Sequence, residues 1–164
     1  MTDKEIFFNM LEMQKTYDQK VFAAHGISGY DEIYGRIFNA LLDEIGELNH
    51  ELKGEWCWWK NTQKPVNREK VLEEFADVVH FCLCLLWART AWSTITRIDE
   101  YLEEPSLTLS LEQGMRHLVD GLICEDPVRV MVAGKEMLDL TWEDIYRIYC
   151  AKHNINLERV SNGY

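Results

Sequence analysis

Two short acidic runs hold the chemistry that this sequence offers. Glu44 and Glu47 bracket "EIGE", and Glu74 and Asp77 lie in "EEFAD" thirty residues on. Each pair is spaced by three, so on a helix its two carboxylates share a face. At about 100° per residue, Glu51, Ile37, Leu41 and Leu48 fall in the sector of Glu44 and Glu47. Val78, Phe81 and Leu85 continue the sector of Glu74 and Asp77. In both segments the acids therefore run along an apolar stripe, whereas a solvated acidic face would lie opposite one.

An isolated buried carboxylate costs several kcal/mol even after relaxation, and neighbours of like charge add to that. Few lysines fall on these sectors; Lys70 is one candidate counter-charge. A divalent cation is the economical solution. Oxygen donors without an accompanying His or Cys set suit Mg²⁺, with Mn²⁺ as a substitute, rather than zinc. Mg²⁺ is commonly shared with substrate phosphates, which points to a phosphorylated ligand. The competing reading is an ordinary solvated helix face, which is how E-x-x-E usually occurs. Spacing alone leaves both open.

The elements that would position these acids are helices. Thr2 with Glu5 forms a capping-box pattern opening a helix to about Phe22. A second helix is expected from Tyr30 to Lys53, with Ser28 or Asp31 as cap and Gly54 as its stop. Asn67 caps a third from Arg68, through "VVHFCLCLLWA" and on as far as Glu104, with Pro105 ending it. Ser110 with Gln113, Pro127, and Thr141 with Asp144 open three more. No strand alternation and no repeat is present. The expectation is one all-α domain over 1–164, a bundle of about six helices.

The bulk numbers restrict function. A formal net charge of −11 excludes a general nucleic-acid or anionic-membrane binder, which needs a basic face. A phosphorylated ligand would then be neutralised by metal rather than by protein charge. The five cysteines are odd in number and include no C-x-x-C, which implies free thiols in a reducing, cytoplasmic setting. "MTDKEIFF" has no basic n-region, so a secretory signal is not expected. The longest apolar run is too short to span a bilayer. His80, inside that run, is expected to be a hydrogen-bonded core histidine.

Four motifs in order resemble the all-α nucleoside triphosphate pyrophosphatases, a group that includes the MazG-like enzymes. Within it they are most similar to the dimeric dUTPases of Gram-positive bacteria and their phages. The motifs are "MLEMQKTYDQK", "EIGELNHELKGEWCWWK", "REKVLEEFADVVHFCL" and "YRIYCAKHNINLERVSNGY". The resemblance implies Mg²⁺ bound by Glu44, Glu47, Glu74 and Asp77, with Glu44 or Glu47 taking a proton from water. It implies Gln14 and Asp18 at the uracil, the latter where relatives often carry asparagine. Trp58 would stack on the base, and Lys152, Asn156 and Arg159 would hold the phosphates. The implied reaction is dUTP and water to dUMP and pyrophosphate, with dUDP as a further substrate, in a homodimer.

Each residue also has a plainer reading. Trp58 suits a core anchor, Gln14 a surface position, and Lys152 and Arg159 ordinary pairing with a helix C-terminus. Beside dUTP hydrolysis stand two rivals: a related pyrophosphatase preferring dCTP or a damaged nucleotide, and a non-catalytic helical interaction module.

Overall fold

The structure is a computed structural model that describes residues 1–89, 98–103 and 107–163. It is all-α, and no strand occurs among the described residues. Their helices are α1 (Asp3–His25), α2 (Tyr30–Glu51), α3 (Lys53–Trp56), α4 (Arg68–Ala88), α5 (Ile98–Glu103), α6 (Leu111–Ile123), α7 (Pro127–Met137) and α8 (Trp142–Ser161).

Local chemistry starts most of them. The Thr2 hydroxyl accepts from the Glu5 amide at 3.2 Å while the Thr2 amide donates to the Glu5 carboxylate at 2.7 Å. Ser110 with Gln113 and Thr141 with Asp144 close the same reciprocal box at α6 and α8. Asn67 Oδ1 accepts from the Glu69 and Lys70 amides at α4. Asp126 caps α7, with Pro127 in its first turn. Each such cap typically stabilises its helix by about 1 kcal/mol.

α4 is the axis of the fold. From Val71 to Ala88 it buries residues on every side, and it packs against α1, α2, α7 and α8. α1 contributes Ile6, Phe7, Met10 and Leu11 to the same cluster, and α2 contributes Ile37, Leu41, Ile45 and Leu48. The approach of α7 to α4 demands glycine at one point: a Cβ on Gly134 would lie 2.1 Å from Phe75 Cε2.

Three expectations are corrected. Two extra short helices bring the described total to eight rather than about six. α4 stops at Ala88, where the Arg89 guanidinium reaches across to the Glu125 carbonyl and carboxylate; the remainder of the expected long helix falls partly on 90–97 and 104, outside the described residues. Neither Ser28 nor Asp31 caps α2. Its N-cap is Gly29, and Ser28 instead donates its amide and hydroxyl forward to Glu32 Oε2. Among the described residues no helix is long and apolar enough to cross a membrane.

Candidate active site

α2 and α4 lie side by side, and that pairing brings the two acid runs together. Single carboxylate oxygens of Glu44, Glu74 and Asp77 all lie within 4.8 Å of one another. All three side chains are partly buried, and their electrostatics show the strain of that placement. Burial, then Asp77, Glu47 and Glu74, push the Glu44 carboxyl from its usual 4.5 up to about 7. Burial also raises Glu74, with Glu47 and Asp77 adding to it. Asp77 is raised by burial despite its bond to Lys152. Glu47 sits outside the three-oxygen group, exposed, beside Asp43 and Glu51 on the outer cleft of α2.

The counter-charge comes from α8. Lys152 Nζ lies 2.6 Å from Asp77 Oδ2 and 3.3 Å from Glu73 Oε1. Burial works against its charge, but Asp77 and Glu73 outweigh that and raise its pKa. Lys70, the sequence-based candidate, is exposed at the start of α4. Lys152, with Arg159 also close enough to act on Asp77, faces Glu44, Glu47, Glu73, Glu74 and Asp77, an excess of negative charge in the cluster that a hard divalent ion corrects. Its donors are all oxygens, so the residues present fit such an ion.

Next to the acids is a cavity of about 340 Å³, lined among others by Gln14, Asp18, Arg36, Asp77, His80 and Asn156. That volume lies in the range of small-molecule pockets. Asp77 belongs both to its wall and to the acid cluster, so the two compartments are contiguous. At the inner wall a hydrogen-bonded chain runs from α2 to α4. Tyr30 donates to Asp18 Oδ2 at 2.9 Å, Gln14 Nε2 donates to Asp18 Oδ1 at 2.8 Å, and His80 Nδ1 meets Gln14 Oε1 at 2.7 Å.

A family model described as dUTPase matches residues 6–164. The chain belongs to the dUTPase family. It is a dUTP diphosphatase, a hydrolase of nucleotide metabolism that takes a nucleotide substrate. Enzymes of this family are generally divalent-metal dependent, and Glu44, Glu74 and Asp77 are arranged to hold such an ion. No curated protein matches the chain.

The other sequence-derived positions distribute unevenly over this dUTPase. Gln14, for which a surface reading was open, is buried at 2% exposure, and Asp18 is buried at 5%. Asn156 lines the cavity. Arg159 is exposed on the last turns of α8, near enough to Asp77 to favour its ionised form. Trp58 is 87% exposed, so it is not a core anchor. It lies edge-on to Trp59 and is not among the residues lining the cavity. Trp56 fills the anchoring role, donating Nε1–H to the Asn49 carbonyl at 2.8 Å.

Sequence reasoning missed Arg36, Glu73 and Tyr149. Tyr149 stands three residues before Lys152 and seven before Asn156, so the same helical spacing would have found it. Glu73 opens the "EEFAD" run and stands four residues before Asp77, so helical spacing could have found it too; Arg36 had no local signal. His80 is the hydrogen-bonded core histidine expected from the sequence, and it also belongs to the cavity wall.

Proposed function

We propose that the acid cluster and the adjoining cavity are the phosphate and base ends of one dUTP site, converting dUTP and water to dUMP and pyrophosphate, with dUDP as a second substrate. The observation that carries this reading is the double membership of Asp77. A nucleotide whose base fills the cavity has its phosphates beside Glu44, Glu74 and Asp77.

Mg²⁺ is the proposed cofactor, with Mn²⁺ as a substitute, and Glu44, Glu47, Glu74 and Asp77 would hold it. Bound there, a divalent ion would neutralise phosphate oxygens and acidify a water molecule. Of the two first-pair carboxylates, Glu44 is the better placed proton acceptor for the attacking water, because it belongs to the three-oxygen group with Glu74 and Asp77 whereas Glu47 is exposed outside it. Lys152 keeps Asp77 neutralised before substrate arrives, and in the complex it shares its three donors with the phosphates. Asn156 and Arg159 extend that grip along the same face of α8; the guanidinium offers a fork of donors to phosphate oxygens.

Gln14 and Asp18 read the base, and Trp58, exposed after α3, stacks on it. The functional unit is a homodimer of single-domain chains acting in the cytoplasm, without nucleic-acid or membrane partners. The test is turnover of dUTP, dUDP, dCTP, dATP, dGTP and dTTP, each with and without Mg²⁺. Preferential Mg²⁺-dependent release of pyrophosphate from dUTP is expected. Equal rates on all bases would remove the cavity from base selection, and metal-independent turnover would remove the acid cluster from the chemistry.

A further inference from the structure

Gln14 is buried at 2% exposure, yet it lines the cavity. A carboxamide has two acceptor positions on oxygen and two N–H donors. In Gln14 three of the four are committed. Oε1 accepts from His80 Nδ1–H at 2.7 Å and from the Tyr149 hydroxyl at 3.1 Å, and Nε2 donates to Asp18 at 2.8 Å. One N–H remains.

We propose that Asp18, His80 and Tyr149 are positioning residues that lock the Gln14 amide in this orientation, so that the cavity presents a donor and selects a base edge carrying a ring carbonyl over one carrying an amino group. The proposal rests on the cavity being the base pocket.

Asp18 sets the direction, and His80 and Tyr149 complete it as donors to Oε1. Asp18 already accepts from Tyr30 at 2.9 Å and, when ionised, can only accept. Burial raises its carboxyl to about 6, which leaves it ionised at neutral pH. Burial, then the neighbouring His153, hold His80 neutral with a pKa of about 3. A neutral imidazole carries one ring proton, and the nitrogen facing Oε1 must be the one that bears it. His80 Nε2 is then bare; among the described residues this buried atom finds no hydrogen-bond partner. The Tyr149 hydroxyl lies 3.2 Å from the Met10 carbonyl as well, which ties it to α1. Flipping the amide would turn its oxygen toward the Asp18 carboxylate, which has no proton to offer when ionised, and would force His80 into the tautomer that buries an unpartnered Nε2–H.

Uracil and cytosine differ at the position where one carries a carbonyl and the other an amino group. Facing an N–H, the carbonyl completes a hydrogen bond, and the amino group leaves two donors unpaired. The network therefore supplies discrimination through residues that do not themselves need to touch the base.

A charge-conserving inversion tests this. Combining Gln14→Glu with Asp18→Asn keeps the hydrogen-bond count. The new amide at position 18 then donates to the new carboxylate at position 14, and Tyr30 still has an oxygen to donate to. His80 and Tyr149 donate to position 14 as before. Only the cavity-facing position changes, from donor to acceptor. The readout is the ratio of dissociation constants for the non-hydrolysable α,β-imido analogues of dUTP and dCTP with Mg²⁺, a ratio in which general damage to the site cancels. Wild type should favour the uracil analogue at least a hundredfold, and the double variant should lower that preference at least tenfold. Tyr149→Phe should lower it several-fold. A folded double variant with an unchanged ratio overturns the proposal. If the double variant does not fold, an unchanged ratio in Tyr149→Phe overturns it. Wild type binding both analogues equally refutes the polarity argument alone, whereas wild type binding neither refutes the base pocket itself.

Discussion

Replacing Glu44 with glutamine separates the cost of the metal cluster from its use. In the metal-free chain the Glu44 carboxyl is raised from 4.5 to about 7, first by burial and then by Asp77, Glu47 and Glu74. The folded state therefore holds a proton that the unfolded state gives up between those values. Stability falls as pH rises through that window, and the full penalty is present above pH 7. At 1.36 kcal/mol per pKa unit the unscreened penalty would be about 3 kcal/mol. Glu44 is only half-buried, so solvent screening reduces it to about 1–2 kcal/mol. For a chain of this size that corresponds to about 2–8 °C in Tm. Glu44→Gln should remove this term.

The assay is thermal melting in EDTA from pH 5.5 to 8.5, for wild type and variant. Asp18, Glu74, Asp77 and His153 also titrate differently in the folded chain, but they remain in both proteins, so the difference between the two curves reports Glu44 together with its coupling to Glu74 and Asp77. The variant should gain on the wild type as pH rises and level off above pH 8. Adding Mg²⁺ at pH 8 should reverse the order, because wild type gains binding energy that the variant has lost, and dUTP turnover should collapse in the variant. Parallel Tm curves in EDTA would refute the claim that repulsion and burial at Glu44 are stored in the free fold. A variant with wild-type turnover would refute its role in the site.

Three other perturbations probe the surroundings. Lys152→Met removes the partner of Asp77 and should destabilise the metal-free protein by about 2–4 kcal/mol at pH 7.5, with part of the loss recovered by Mg²⁺ in chemical denaturation; no loss would mean the 2.6 Å pair contributes nothing. Trp58→Ala, at an 87% exposed position, should leave Tm nearly unchanged yet weaken binding of a dUTP analogue by about 1–3 kcal/mol, the range for aromatic–base stacking; fluorescence titration checks it, and unchanged affinity would remove Trp58 from the site. Truncation after Leu157 retains Lys152, His153 and Asn156 while deleting Arg159, and should cut kcat/KM for dUTP at least tenfold, about 1.4 kcal/mol, with circular dichroism unaltered.

The sequence alone gives reason to expect fraying in the last turns of the final helix, with Lys152, Asn156 and Arg159 spaced by four and three on one face. The structure continues α8 to Ser161 and buries Lys152 and His153. Cutting after Ala151 would therefore remove core packing as well as phosphate contacts, and only the shorter truncation reports on function. The physical reason lies in tertiary packing: α8 lies against α1 and α4, and spacing puts Tyr149, Lys152 and Asn156 on one face without saying that this face is the one buried.

What was legible in the chain was local. Thr2, Asn67, Ser110 and Thr141 announce helix starts because a side chain and an amide two or three residues apart satisfy each other whatever surrounds them. The acid pairs were legible for a related reason: helical geometry places them on the core stripe before any packing is known. Illegible were the partners that close the site across the fold. Lys152 meets Glu73 at a separation of 79 residues and His80 meets Gln14 at 66. Reading α2 and α4 in isolation led to Lys70 as the counter-charge, since it was the lysine on the right helix. The cation that the fold supplies sits on α8, on the same face as Asn156 and Tyr149. One helix thereby delivers the acid cluster's counter-charge and one donor to the Gln14 amide, so the position of α8 against α4 sets both the charge balance at the phosphates and the polarity at the base.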